Sequence, residues 1–273
     1  MNKRQKSKNL ASLSKTPTKE LIEKIILKKE FSQLPEKDVE IAFSHFDKPQ
    51  YLDEEKIKLT RDLLRKVFSV FTSKKLLKIK DKSEEFILKK HLSTKERYEF
   101  YDEIYKKLLY DFQGKINIID LGAGVNGFSY DFFNKLNKKV NYLGVEAMGQ
   151  LVEFMNYYFK KKKIKGEAVH MSLFELEEIK SLIKKQEHPK IIFLFKTLDS
   201  LEMLERNYSK KLLEAVTPLV KMVAISFATR SLVSKKRFVV KRNWILNFIK
   251  SNFDVLDDFE IGNERYIVFC KTI

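Results

Sequence analysis

Asp120, Gly122, Gly124, Glu146 and Arg97 are the residues of this chain whose types and spacing could do chemistry. Ile116-Asn117-Ile118-Ile119 runs into Asp120-Leu121-Gly122-Ala123-Gly124-Val125-Asn126-Gly127, and a helix-like stretch, Phe128 to Leu136, follows. This is the pattern of a buried strand that turns tightly into a helix. Glycines are wanted in such a turn because one must take a backbone conformation closed to other residues, and because a ligand must approach the main chain without meeting a Cβ. Read literally, Gly122-x-Gly124-x-x-Gly127 is a dinucleotide fingerprint, with Glu146 at the offset where an acid holds a ribose; a plain turn uses the same residues. Arg97 closes the run His91-Leu92-Ser93-Thr94-Lys95-Glu96-Arg97, in which Ser93 or Thr94 can cap a helix. If that helix packs on the sheet, Arg97 stands just ahead of the glycine loop, where its planar fork could hold a ligand carboxylate.

A second kind of chemistry is electrostatic. From Arg230 to Arg242 the chain carries Lys235, Lys236, Arg237 and Lys241 and no acid. Such a run is either a solvated loop or a set of phosphate contacts that add salt-dependent affinity without reading sequence. Phe227 and Phe238 beside it could stack on a flipped base or simply pack in a core. The whole chain has the same sign: 54 Lys and Arg against 37 Asp and Glu give +17, which favours a polyanionic partner, nucleic acid before an anionic membrane. No stretch reaches the roughly eighteen apolar residues of a membrane span, and charges stand where a signal peptide has its apolar region, so a cytoplasmic location is expected. The single cysteine, Cys270, follows the apolar run Ile267-Val268-Phe269, which excludes disulfides within the chain and Cys-rich zinc sites. No metal centre is expected.

The elements that must position these residues divide in two. Residues 1–19 carry Lys3, Arg4, Lys6, Lys8, Lys15 and Lys19 with no acid, as a disordered basic arm would. Residues 20–115 read as an all-helical domain. Its first helix starts at Thr16-Pro17-Thr18, a second covers Lys37 to Phe46, and a third begins at Asp53 with Ile57, Leu59, Leu63, Leu64, Val67 and Phe68 as a broad apolar face. A fourth covers Glu84 to Lys90, and a fifth runs from Ser93 to about Tyr110. From Ile116 to the end, strands at Ile116, Val140–Glu146, Glu167–His170, Ile191–Lys196 and Val220–Phe227 alternate with helices. Phe253–Glu260 and Arg265–Lys271 form a closing pair joined at Gly262-Asn263. Such alternation implies an α/β, Rossmann-like, mostly parallel sheet over 116–273 with an antiparallel C-terminal hairpin.

Asp120, two positions ahead of Gly122, makes Asp-x-Gly-x-Gly, whereas a dinucleotide strand runs apolar into its glycines. A sulfonium donor with an ammonium group has use for an acid at that strand tip, and Glu146 suits either cofactor. The closing hairpin resembles that of the seven-stranded class I methyltransferase sheet, which favours S-adenosyl-L-methionine over a nicotinamide. The resemblance sharpens in five blocks: His-x-Ser-Thr-x-Glu-Arg (91–97), Asp-Leu-Gly-x-Gly-x-Asn (120–126), Phe-Lys-Thr-Leu-Asp-Ser-Leu-Glu (195–202), Ser-Phe-Ala-Thr-Arg-Ser-Leu (226–232) and Glu-Ile-Gly-Asn-Glu-Arg-Tyr (260–266). In this order they resemble the aminoglycoside-resistance 16S ribosomal RNA guanine-N7 methyltransferases, from about residue 91 onward. The first 90 residues are similar only in being helical and basic, as that family's ribosome-docking extension is.

The resemblance implies methylation of guanine N7 in the decoding site of the small (30S) ribosomal subunit, with 16S rRNA as partner and drug resistance as a consequence. It implies that Arg97 meets the methionine carboxylate, that Asp120, Gly122, Ala123 and Gly124 line the donor, and that Glu146 with Ala147 takes the ribose. Ser172 and Leu173 would lie by the adenine. Lys196, Ser226, Phe227, Arg230, Ser231, Asn263 and Glu264 would form the target-guanine side, with Lys235, Lys236, Arg237, Lys241 and Arg242 on phosphates. N7 carries a free lone pair, so methyl transfer needs in-line placement and no acid or base. The chain departs from the family pattern at Ala123, Gly127, Glu146, Met171-Ser172, Asp199 and Ala228. Action on another RNA, or RNA binding without catalysis, are the alternatives.

Overall fold

A computed structural model describes residues 18–68, 82–229 and 242–272. Among these, six α-helices precede the first strand: α1 (Thr18–Ile26), α2 (Glu36–Ser44), α3 (Asp53–Val67), α4 (Glu84–Lys90), α5 (Leu92–Arg97) and α6 (Tyr101–Leu108). The stripe that α3 buries is Lys56, Thr60, Leu64 and Val67, whereas Ile57, Leu59 and Leu63 are only half-buried. Lys56 is tolerated there because its ammonium meets Asp47 Oδ1 at 2.7 Å, and the Thr60 hydroxyl donates to the Lys56 carbonyl at 2.7 Å; buried polar groups need such partners.

The helix expected from Ser93 to Tyr110 is broken by a 3₁₀ turn at Tyr98–Phe100. Neither Ser93 nor Thr94 caps it. His91 holds the cap position, and the Thr94 hydroxyl, one turn inside, donates back to the Leu88 carbonyl at 2.7 Å, tying α5 onto the end of α4. Both residues are buried, so their polarity serves packing between helices and not a solvent-facing start.

Seven strands follow: β1 (Lys115–Leu121), β2 (Lys139–Glu146), β3 (Gly166–His170), β4 (Lys190–Phe195), β5 (Met222–Ala228), β6 (Phe253–Ile261) and β7 (Glu264–Lys271). Their order is β3-β2-β1-β4-β5-β7-β6, parallel except for β7, which is antiparallel to both neighbours. Interleaved with them are α7 (Tyr130–Lys135), α8 (Gly149–Lys162), α9 (Leu176–Lys184), α10 (Leu198–Leu204), α11 (Tyr208–Val216) and α12 (Asn243–Asn252). β4 and β5 are buried along their whole length, as their continuous apolar runs require of strands covered on both faces. The chain leaves β1 toward β2 on one side and returns at β4 on the other, so a crevice opens at the carboxyl ends of β1 and β4.

The N-terminal helices share the sheet's core, from Leu21 through Phe43 and Leu64 to Phe269. They are also tied on by hydrogen bonds: the Gly149 amide donates to the Gln33 carbonyl at 3.1 Å, and His45 Nε2 lies 2.6 Å from the Leu204 carbonyl.

The turn between β6 and β7 needs Gly262, which has φ +63° and leaves no room for a side chain, since a Cβ there would lie 2.6 Å from the Phe100 ring. Gly262→Ala is expected to destabilise the protein by about 1–3 kcal/mol through backbone strain and this clash. Urea unfolding checks it; an unchanged midpoint would contradict the tight seating of the hairpin on Phe100.

Candidate active site

The crevice at the carboxyl ends of β1, β2 and β4 holds a cavity of about 850 Å³, counted out to its open mouth. Its floor is the glycine turn. Gly122 and Gly124 have φ +78° and +56°, and a Cβ on Gly122 would fall 2.7 Å from Thr197 Cγ2, so both the backbone shape and the close approach require glycine. Gly127 is absent from the lining and packs instead toward the Phe159 ring, which removes the third glycine of the literal dinucleotide reading from the site.

Glu146, at the tip of β2, is aimed by two backbone donors: the Gly124 amide reaches Oε2 at 2.8 Å and the Met148 amide reaches Oε1 at 2.9 Å. Burial raises its carboxyl above the ordinary range, and the amides of Met148 and Gly124 work against that. Asp120, at the tip of β1, receives Asn126 Nδ2 at 2.7 Å and the Tyr142 hydroxyl at 2.6 Å, both on Oδ2. Its carboxyl is likewise raised by burial, against the pull of these two donors.

Arg97 is 2% exposed and lines the cavity. Its Nη2 donates to Glu264 Oε1 at 2.7 Å, Nη1 to Asn126 Oδ1 at 3.2 Å and Nε to the Tyr266 hydroxyl at 3.3 Å. Each terminal nitrogen therefore keeps a hydrogen for a ligand. Asn126 is the junction of this network, since its Oδ1 also accepts the Tyr101 hydroxyl at 2.6 Å while its Nδ2 holds Asp120.

Lys196, just past β4, pairs with Glu96 Oε2 at 2.7 Å and Glu264 Oε2 at 3.2 Å. Glu264 thus lies between two buried cations and also accepts the Ser226 hydroxyl. Burial works to raise its carboxyl, but the charges of Arg97 and Lys196 overcome that and hold it below its ordinary value of 4.5. His91 is pushed down to about 3, first by burial and then by the charges of Arg97 and Lys196, so the cavity wall there is neutral.

Of the sequence-derived site residues, the structure gathers Arg97, Asp120, Gly122, Ala123, Gly124, Glu146, Ala147, Leu173 and Lys196 around one cavity. Ser226 and Glu264 stand behind it as support, and Ser172 is fully buried outside the lining. The Asn263 carbonyl accepts the Thr229 amide at 2.8 Å. Phe227 is 3% exposed with the Arg242 guanidinium 4.8 Å over its ring, so in this structure it packs in the core. Arg242, expected on phosphate, forks onto Asp199 at 2.7 Å and donates to the Ala228 carbonyl at 3.0 Å. Arg230, Ser231, Lys235, Lys236, Arg237, Phe238 and Lys241, like the basic arm, lie outside the described residues.

Sequence reading missed the walls. Asp38, Val67 and Phe68 come from the N-terminal helices, and Thr197, Leu201 and Leu204 from the segment after β4. Asp38 reads in the sequence as a routine first-turn helix acid, and no signal there marks it for a cavity.

The sheet order, with an acid-tipped β1, a double-glycine turn and an acid at the end of β2, defines a class I methyltransferase fold. More narrowly, residues 60–261 match the family model described as "Ribosomal RNA methyltransferase (FmrO)", and the chain belongs to that family. It is 24% identical over 197 residues to a 16S rRNA (guanine(1405)-N(7))-methyltransferase of Proteus mirabilis, a match that covers 68% of this chain and 64% of that enzyme's length. The solved structure of the 16S rRNA methyltransferase RmtF in complex with S-adenosyl-L-homocysteine shares the fold with a TM-score of 0.76 at 18% identity, covering 95% of this chain and 100% of that one. The 16S rRNA methylase RmtB does so with a TM-score of 0.74 at 17% identity over the same shares. Among the described residues no helix is long and apolar enough to cross a membrane, and no group of His, Cys, Asp and Glu is placed to hold a metal ion.

Glu264→Gln would leave Arg97 and Lys196 buried with one negative charge fewer, and removing one partner of a buried ion pair costs about 3–5 kcal/mol. Guanidinium unfolding at neutral pH checks this. Because the folded carboxyl sits below 4.5, its contribution is whole above 4.5 and is lost as pH falls through the lower folded value. The variant is therefore expected to lose less stability than the parent on acidification below pH 4.5, and equal acid losses would contradict the pairing.

Proposed function

We propose that the chain binds S-adenosyl-L-methionine in this cavity and methylates guanine N7 of 16S rRNA in the small-subunit decoding site, with aminoglycoside resistance as the consequence. The observation that carries the reading is a buried guanidinium with two spare hydrogens and a backbone-aimed carboxylate lining one cavity, within a ribosomal RNA methyltransferase family member. The residues fit the cofactor. Arg97 would take the methionine carboxylate, Asp120 would face the ammonium, and the remaining lone pairs of Glu146 would accept the ribose hydroxyls. Gly122 and Gly124 would let the ligand lie on the main chain without a Cβ between them.

When bound, the cofactor supplies an electrophilic methyl group on a sulfonium. The protein's own task is then placement. Lys196 just past β4, with Ser226 on β5 and Asn263 and Glu264 at the β6–β7 turn behind it, would bound the side on which a guanine enters, and N7 needs no base to remove a proton before it attacks. Residues 20–115, the basic arm 1–19 and Lys235, Lys236, Arg237 and Lys241 would supply docking and phosphate contacts, with affinity that falls steeply as salt rises. Such an enzyme works in the cytoplasm, where small subunits are assembled.

The test is incubation with methyl-labelled S-adenosyl-L-methionine and isolated 30S subunits, followed by mapping of the label. Label in 16S RNA as N7-methylguanine is the expected result. Label at another atom or in another RNA, or no transfer at all, would overturn the reading.

A further inference from the structure

The cavity extends past the ribose acid to a part of the wall that the sheet does not build alone. From the β7 side toward the β3 edge, the charged residues that the sheet side contributes run from Arg97, paired to the start of β7, through Lys196 after β4 and Asp120 on β1 to Glu146 on β2. Beyond Glu146 the sheet offers apolar surface, from Ala147, Met148 and Leu151 after β2 and Leu173 after β3. A ligand held by its amino acid at Arg97 and its ribose at Glu146 must place its base against these residues. None of the four carries a charged acceptor that could distinguish one purine from another.

That acceptor comes from the helical part. Asp38, on α2, is 2% exposed and lines the cavity, and its Oδ2 is buried without a hydrogen-bond partner. A buried carboxylate oxygen with no partner costs stability, which argues for a role elsewhere. The helix is fixed where it needs to be: the Gln33 carbonyl accepts the amide of Gly149 at the start of α8, and His45 reaches the Leu204 carbonyl at the end of α10. From the β3 side the buried Ser172 lies near enough to Asp38 to favour its charged form.

We propose that Asp38 Oδ2 accepts a hydrogen bond from the exocyclic amine of the cofactor's adenine, so that α2 and not the sheet reads the base. This rests on the cavity being an S-adenosyl-L-methionine site. Burial lifts the unliganded carboxyl to about 7, with Ser172 opposing and the charges of Glu146 and Glu175 adding; a donor from the ligand would favour the charged form.

The test compares S-adenosyl-L-homocysteine with S-inosyl-L-homocysteine, in which a carbonyl replaces the amine, by calorimetry on the full chain. The wild type is expected to bind the adenosyl compound about 10- to 100-fold more tightly, the range for a hydrogen bond to a charged group. In Asp38→Asn, whose amide can present either an acceptor or a donor, the ratio is expected to fall below about threefold, while thermal unfolding shows whether the variant is folded. Should it not fold, Asp38→Ser carries the same comparison. A wild type that binds both alike, or a folded variant that keeps the full ratio, overturns the proposal and leaves the cofactor reading standing. Failure of the wild type to bind either compound overturns both.

Discussion

The site depends on one buried carboxylate. Glu264, at the first residue of β7, holds Arg97 from α5 and Lys196 from the end of β4, three segments far apart in the chain. Taking such charges out of water costs several kcal/mol per ion; Glu264 is the carboxylate that meets Arg97, and it shares Lys196 with Glu96. The C-terminal hairpin must therefore be seated before Arg97 can face the cavity, and Gly262 against Phe100 seats it. From Arg97 the order passes through Asn126 to Asp120 and Tyr142, so the acid at the tip of β1 is fixed by the same network. These side chains hold one another in place, and such mutual fixing lowers the cost of ordering them on binding.

The sheet was legible in the sequence because its strands are apolar runs of ordinary length punctuated by turn residues. Each predicted strand from Val140 onward lies within two residues of the observed one. Asp120, the two glycines and Glu146 were legible for a related reason: their chemistry is local to strand tips that the pattern already located. The helical part was less so. Periodicity does not tell a salt-bridged lysine from a solvated one, so the Lys56–Thr60 stripe of α3 was hidden behind more apolar neighbours. Nor does it foresee a 3₁₀ break at Tyr98–Phe100 that depends on where α6 must pack. For Phe227 the sequence leaves base stacking and core packing open, and for Arg242 the resemblance implies a phosphate; the fold buries the Phe227 ring under the Arg242 guanidinium and pairs Arg242 with Asp199, contacts that no local pattern announces.

Asp38 shows where sequence reading stops. An acid in the first turn of a helix is satisfied by the helix dipole in most chains, and only the docking of α2 beside Leu173 and Met148 makes this one part of a cavity wall. The cofactor site is then shared between the sheet, which supplies the glycine turn and the ribose acid, and the helices that precede it. Docking of those helices and occupancy of the cavity become linked, because a ligand that binds only the docked arrangement stabilises it.

A crystal structure of the chain with S-adenosyl-L-homocysteine tests the central claim most directly. The expected result has the ligand carboxylate on Arg97, the ribose hydroxyls on Glu146 and the adenine against Met148 and Leu173. A ligand lying the other way round, or one whose carboxylate and ribose touch neither Arg97 nor Glu146, would contradict the claim that this buried network exists to orient a methyl donor.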